Sequence, residues 1–379
     1  MSIRGFRNAR LVLPDAVVLG SLLLTEDGNI AAIDEGPSQS AELLDCEGDF
    51  LLPGLVDLHT DNLERQVQPR TQARWPSRSA FLAHDAQCIA AGITTVADAL
   101  CVGDAGFEAQ RLQTLRDALI DQQALQAAGL LRAEHVLHLR CELPVANLPE
   151  LLEECLAAGP VQMLSLMDNT PGVGQHTNLE KFRSGRRAEG LSEEELEQRI
   201  QESLARHRSY SAQNRAHILT RMRDSGLPIA SHDDVTPEEI ERNARDGIRI
   251  SEFPVTLAAA QHARALGMAT VAGAPNLVRG GSHSGNVAVA DLVRAGAVTA
   301  LASDYYPSAL LEAAFLLAEQ ELCDLPVAVA MVSAHPAQLL ALADRGSLRP
   351  GLRGDLLRVR YADSTVTPHG VWRLGERVG

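Results

Sequence analysis

Between residues 51 and 304 the chain alternates short apolar runs with longer helical stretches, and does so eight times. The runs are the segment leading to His59, then Ile93–Leu100, His135–Glu142, Val161–Asp168, Pro228–His232, Ile248–Phe253, Ala269–Gly273 and Val298–Asp304. Short continuous apolar runs bounded by Gly or Pro read as buried strands. Phe107 to Ala128 and Thr236 to Asp246 are among the helical stretches between them. Eight alternating units predict a closed parallel (β/α)8 barrel of the TIM type. A doubly wound open sheet is the alternative, but no glycine-rich nucleotide fingerprint supports it.

The two ends of the chain differ from the middle. Residues 1–52 alternate short apolar runs with turns, such as Glu26-Asp27-Gly28-Asn29, and residues 345–379 contain similar material. This predicts a small β-sandwich domain completed by both termini, beside the α/β barrel at 53–344. A charged stretch at about 178–226 has no strand signal and predicts helices protruding after the fourth strand. Ser192-Glu193-Glu194-Glu195 has the form of a capping box opening one of them. A solvated helical hairpin is the plain expectation for so charged a segment, with a substrate lid or an oligomer contact as the alternatives.

At 379 residues the chain has the length of two or three domains, and one barrel of about 250 residues plus an accessory domain fits as well. Its net charge of −15 argues against general binding to nucleic acid or an anionic membrane, both of which need a basic surface. It leaves room for an anionic substrate gripped by a few arginines. The six cysteines form no CxxC pair, the N-terminus lacks an apolar signal core, and no apolar run reaches the length of a membrane span. A cytoplasmic protein with reduced thiols is expected.

In such a barrel the chemistry sits at the C-terminal ends of the strands. His59 and Asp61 share one strand face, two residues apart. Glu142 ends the third strand, Asp168 and Asn169 the fourth, His232 the fifth, Glu252 the sixth and Asp304 the eighth. Nitrogen and oxygen donors converging from several strands suit one or two divalent ions, with zinc first and manganese or iron as alternatives. The expected metal set is His59, Asp61, Glu142, His232 and Asp304; Glu252, Asp168 and Asn169 are expected as further ligands or supports. Asp304 is the expected general base for a metal-activated water. His135, His138 and His335 are expected to be structural.

Two stretches suggest phosphate. Arg65, Arg70, Arg74 and Arg78 follow the metal motif closely, and guanidinium forks bind phosphate bidentately. After the seventh strand, Arg279-Gly280-Gly281-Ser282-His283 offers a cation, hydroxyls and backbone N–H groups for an anion. The residues singled out are Arg65, Arg70, Arg279, Ser282 and His283. An ordinary glycine-rich loop and a solvated arginine face are the plain alternatives.

Pro53-Gly54-Leu55-Val56-Asp57-Leu58-His59-Thr60-Asp61 resembles the first barrel strand of the amidohydrolase superfamily, with Asp61 in place of its second histidine. Leu166-Met167-Asp168-Asn169-Thr170-Pro171-Gly172, Ser231-His232-Asp233-Asp234, Ser251-Glu252-Phe253-Pro254 and Ser303-Asp304-Tyr305-Tyr306-Pro307 resemble one subgroup, the PhnM family of phosphonate metabolism in the carbon–phosphorus lyase pathway. The resemblance covers nearly the whole chain. It implies hydrolysis of α-D-ribose 1-methylphosphonate 5-triphosphate to the 5-phosphate and pyrophosphate, with water attacking phosphorus and the arginines holding the triphosphate. It implies a bridging role for Glu142 if two metals bind. Two positions depart from related patterns: Asn169 stands where the family often has histidine, and Glu252 stands on strand six where a deacetylase of the superfamily has histidine. The expected partners are a small phosphorylated sugar and a second copy of the chain in a homodimer. The rival expectations are an amidohydrolase for a cyclic amide or N-acyl substrate, and a metal-bound scaffold whose charged arm docks partners.

Overall fold

A computed structural model describes residues 4–70, 73–104, 110–177, 179–188, 190–282 and 285–379. The first five strands are β1 (Gly5–Val12), β2 (Val17–Leu24), β3 (Ile30–Glu35), β4 (Leu44–Asp45) and β5 (Phe50–Pro53). Eight follow: β6 (Leu55–Thr60), β7 (Ile93–Val102), β8 (Glu134–Glu142), β9 (Val161–Met167), β10 (Ile229–His232), β11 (Ile250–Glu252), β12 (Ala269–Gly273) and β13 (Ala300–Ala302). The last three are β14 (Leu356–Ala362), β15 (Thr365–Arg373) and β16 (Glu376–Arg377).

Strands β6 to β13 are the eight apolar runs of the sequence, and they pair in chain order, all parallel. The ring closes where Thr60 bridges Asp304. There the Asp304 N–H donates to the His59 carbonyl at 3.0 Å and the Asp61 N–H to the Asp304 carbonyl at 2.6 Å. A closed parallel sheet wrapped in helices leaves neither strand face to water, which is why every residue of β7 is buried.

The pleat sorts the side chains. Ala97, Met163, Ala230, Ile250, Val271, Ala300 and Ala302 fill the barrel, plugged by Ala337 and Leu340 from the helix Ala334–Leu339 and its end. Leu137, Leu139, Leu164 and Leu166 point the other way and pack under the helices. Two residues further along the inner face, the apolar filling gives way to charge: Ala230 to His232, Ile250 to Glu252, Ala302 to Asp304. Alternation alone therefore delivers these groups to one end of the barrel.

Three non-glycine residues at that end, Asp233, Phe253 and Asp304, have φ of 57°, 52° and 56°. Each keeps the ladder going by one more bond: Asp233 N–H to the Glu252 carbonyl (2.9 Å), Phe253 N–H to the Val271 carbonyl (2.8 Å), and Asp304 N–H to that of His59. The left-handed backbone costs about 1–2 kcal/mol per residue, and it turns the chain off the strand while the side chain stays over the mouth.

The terminal strands build a mixed sheet ordered β16-β15-β14-β5-β1-β2-β3, with β4 beside β1. Phe6 meets Trp372 edge-on at 4.8 Å in its core, with Leu11, Leu22, Leu51 and Leu356 around them. Pro53-Gly54 hands the chain from this sheet to the barrel. A Cβ on Gly54 would lie 2.3 Å from Thr94 Oγ1, so only glycine permits so close a passage.

After β9 an arm of helices leaves the barrel: Leu179–Ala188, Glu193–Arg206 and Ala212–Met222, the last two joined by a π-helical turn at His207–Ser211. Ser192 and Glu195 form the capping box that opens the second. Phe182, Leu196 and Ile200 give the arm a small core of its own. Asp168 roots it, accepting from His207 Nδ1 at 2.7 Å and Ser211 Oγ at 2.8 Å. Among the described residues no helix is long and apolar enough to cross a membrane.

Candidate active site at the barrel mouth

A cavity of about 280 Å³ opens over the strand ends, with His59, Asp61, His232 and Asp304 among its lining residues. Donor atoms of His59, His232 and Glu252 all lie within 4.8 Å of one another. His59 Nδ1 is 3.1 Å from Glu252 Oε1, and its Nε2 is 3.5 Å from Asp61 Oδ1. His232 gives Nδ1–H to Asp233 Oδ2 at 2.8 Å, while its Nε2 is buried without a hydrogen-bond partner among the described residues. Phe253 meets the rings of both histidines edge-on, at 4.9 and 5.2 Å, and holds their orientation.

The second oxygen of Glu252 accepts from the Ser165 hydroxyl. His138, on the same inner face, lies 2.5 Å from that hydroxyl and gives Nδ1–H to the Leu58 carbonyl at 2.9 Å. Buried Arg140 places Nη1 at 2.9 Å from Asp61 Oδ1 and Nη2 at 3.3 Å from Glu64 Oε1. The barrel floor is thus a wired set of charges rather than a group of separate side chains.

Electrostatics split the two carboxylates. Burial alone would raise the Asp61 carboxyl, but the Arg140 guanidinium and His59 hold it well below the ordinary carboxylate range. Burial, then the Asp61 charge, pushes Asp304 up to about 6. Two neighbouring carboxyls driven apart in this way make an acid–base pair, one fixed as an anion and one able to take up a proton near neutral pH.

No protein-family model matches the chain. It is 43% identical over 374 residues, covering 98% of this chain and 99% of the other, to the alpha-D-ribose 1-methylphosphonate 5-triphosphate diphosphatase of Escherichia coli (strain K12). The chain belongs to the alpha-D-ribose 1-methylphosphonate 5-triphosphate diphosphatase family. More distant solved structures share the fold of this diphosphatase-family chain. Dihydropyrimidinase from Brevibacillus agri NCHU1002 superposes with a TM-score of 0.64 at 13% identity, covering 99% of this chain and 94% of that one. 5-Methylcytosine deaminase from Klebsiella pneumoniae gives 0.63 at 16% identity, covering 98% and 97%.

Within this diphosphatase-family barrel, the structure brings His59, Asp61, His232 and Asp304 to one cavity, and Glu252 to the histidines. Glu142 stands apart. Both its oxygens are taken by Asn169, from the backbone N–H at 2.8 Å and the side-chain amide at 2.7 Å, and burial raises its carboxyl to about 7. Asn169 itself lines the cavity. Asp168 faces the arm, as described above. Arg65 is exposed and donates to the Tyr305 carbonyl at 2.7 Å; Arg70 and Arg279 are also exposed, and none of the three lines the cavity. Ser282 lines it, and His283 lies outside the described residues. Arg74 and Arg78 pair with Asp117 and Asp121. His335 gives Nδ1–H to the Thr299 carbonyl, near the start of β13.

Among the described residues, the guanidinium groups that line the cavity are Arg111, Arg140 and Arg186. Arg140 had a local signal: an arginine between Leu139 and Cys141, at the same strand parity as His138 and Glu142. Arg111 and Arg186 lie in charge-rich helices whose sequence does not distinguish them from solvated neighbours.

Proposed function

We propose that the chain is a metal-dependent hydrolase that releases pyrophosphate from α-D-ribose 1-methylphosphonate 5-triphosphate in phosphonate catabolism. The observation that carries this reading is the end-to-end 43% identity with the Escherichia coli enzyme of that name. The site's chemistry supports it. A buried imidazole nitrogen without a partner among the described residues, on a ring whose other nitrogen donates to a carboxylate, is the arrangement of a metal-ligating histidine. His59, His232 and Glu252 would hold a divalent ion, with Asp61 and Asp304 beside them; zinc is the first choice, then manganese or iron. Such an ion supplies Lewis acidity, which makes water a nucleophile near neutral pH and draws charge from a phosphoryl oxygen.

The chain's own groups do the rest. Asp304, with its raised pKa, takes the proton of the attacking water. Asp61, kept ionised by Arg140, and Glu252, tied to Ser165, hold the imidazoles in place. Arg111 and Arg140 bring positive charge to a cavity that must take a polyanion. The same proposal places the protein in the cytoplasm, as a homodimer. Phosphorus NMR on the ribose triphosphate, with metal analysis of the same sample, tests it. Pyrophosphate and the 5-phosphate should appear in equal amounts with metal bound; a metal-replete sample that leaves the triphosphate intact would overturn it.

A further inference from the structure

We propose that the arm inserted after β9 completes a polyphosphate subsite, in which Arg186 reads the phosphates beyond the bond that is cut. The inference rests on the triphosphate reading above and adds to it the group that recognises the leaving pyrophosphate.

On Leu179–Ala188, residues four apart share a face, so Phe182 and Arg186 lie on one and Arg183 and Arg187 on the next. Arg183 and Arg187 turn to the neighbouring helix, where they meet Glu197 at 2.5 Å and Glu193 at 2.7 Å. Arg186 instead lines the barrel cavity. Its guanidinium lies 5.5 Å from the centre of the Phe182 ring, and that ring packs edge-on against His176 at 5.0 Å. The aromatic pair pre-positions the cation.

The arm and the turn that leads into it also reach two loops of the mouth. A Cβ on Gly174 would lie 3.2 Å from Asp233 Cβ, beyond β10, and one on Gly285 would lie 3.1 Å from Lys181 Nζ, beyond β12. Arg186 therefore sits on a helix whose Lys181 meets the glycine-rich turn, and the turn leading into that helix meets Asp233, next to His232.

Charge supplies the need. The chain carries −15 overall, so its long-range field repels a triphosphate. On the floor, Arg140 is committed to Asp61, and His232 to Asp233. A polyphosphate tail needs more than one cation, and Arg186 and Arg111, the latter 3.4 Å from Glu64 Oε2, line the same cavity as Arg140. A planar guanidinium matches two phosphate oxygens at once, where a lysine offers a point charge.

The test uses the metal-loaded full chain. Arg186→Gln should raise KM for the ribose triphosphate and the inhibition constant of inorganic pyrophosphate by about 10- to 100-fold, with kcat changed less than about threefold. Arg186→Lys should recover part of the loss. Arg183→Gln, on the adjacent face, should match wild type in both constants. Calorimetric titration with pyrophosphate gives a readout apart from turnover. If wild type binds pyrophosphate and Arg186→Gln does not, the subsite stands even where the ribose triphosphate is not turned over, and only the reaction reading fails. If Arg186→Gln and Arg186→Lys bind pyrophosphate as tightly as Arg183→Gln does, the subsite is wrong whatever the reaction.

Discussion

Two buried clusters in this barrel are made of the same parts and do different things. In the wall, behind β6 and β7, His84, Asp98 and His135 have donor atoms within 4.8 Å of one another, as His59, His232 and Glu252 do at the mouth. In the wall every imidazole nitrogen is matched. Asn62 donates its amide to His84 Nδ1 at 2.9 Å, and His84 gives Nε2–H to Asp98 at 2.7 Å. His135 donates to Asp98 at 2.9 Å and faces Asp85 at 3.4 Å through its other nitrogen. Burial opposes the charge on His135, yet the two carboxylates raise it to about 9. At the mouth, His232 Nε2 has no such match among the described residues. Ligand-type residues are thus not enough to mark a site; the mark is a donor left open toward a cavity.

If that contrast is right, the two clusters should fail in different ways. The largest effect belongs to Asp304→Asn, which keeps fold and metal and should cut kcat by roughly 10²- to 10⁴-fold, read by steady-state kinetics beside metal analysis. Wild-type turnover in that variant would remove Asp304 from the mechanism. In the wall, Asp98→Asn leaves the His135 cation short of a buried partner and should cost about 3–5 kcal/mol by denaturant unfolding, while turnover per folded molecule stays at the wild-type level. The converse result, a stable protein with lost turnover, would mean the wall cluster belongs to the chemistry. Asp233→Asn removes the carboxylate behind His232 and should weaken metal binding by about 10- to 100-fold in a chelator competition, with little change in stability.

The smallest effect is a pH dependence. The His135 pKa lies near 9 in the fold, above its unfolded value of about 6.5, so its contribution is complete below about 6.5 and is lost as pH rises through about 9. Asp98 has the opposite sign: burial would raise it, but the imidazoles bring it down to about 2, and its contribution is lost as pH falls through that value. Thermal unfolding of wild type should therefore weaken between pH 6.5 and 9 by more than that of His135→Gln. Parallel curves for the two proteins would show that His135 carries no net charge in the folded state.

Much of the barrel was legible in the chain because each strand is a local apolar run and period two fixes which residues point inward. His59, His232, Glu252 and Asp304 each end such a run, so their common address follows from one rule applied strand by strand. The arm's capping box was legible for the same reason, since it involves only Ser192 and Glu195. Glu142 obeys the parity rule as well. What turned it from the cavity is Asn169, supplied by the next strand's loop, and no local pattern announces that bond.

Sequence alone determined where strands run, which side chains face the axis, and that charge gathers at one end, since these depend on neighbours along the chain. Tertiary structure decided which guanidinium groups meet the cavity, bringing in Arg111 and Arg186 while Arg65, Arg70 and Arg279 stay at the surface. It also decided which histidine nitrogen is left open. The first is settled by how distant helices pack, since a long charged side chain carries no mark of whether solvent, a carboxylate or a substrate will meet it; the second depends on what reaches across the mouth to a ring whose Nδ1 already donates to the adjacent Asp233.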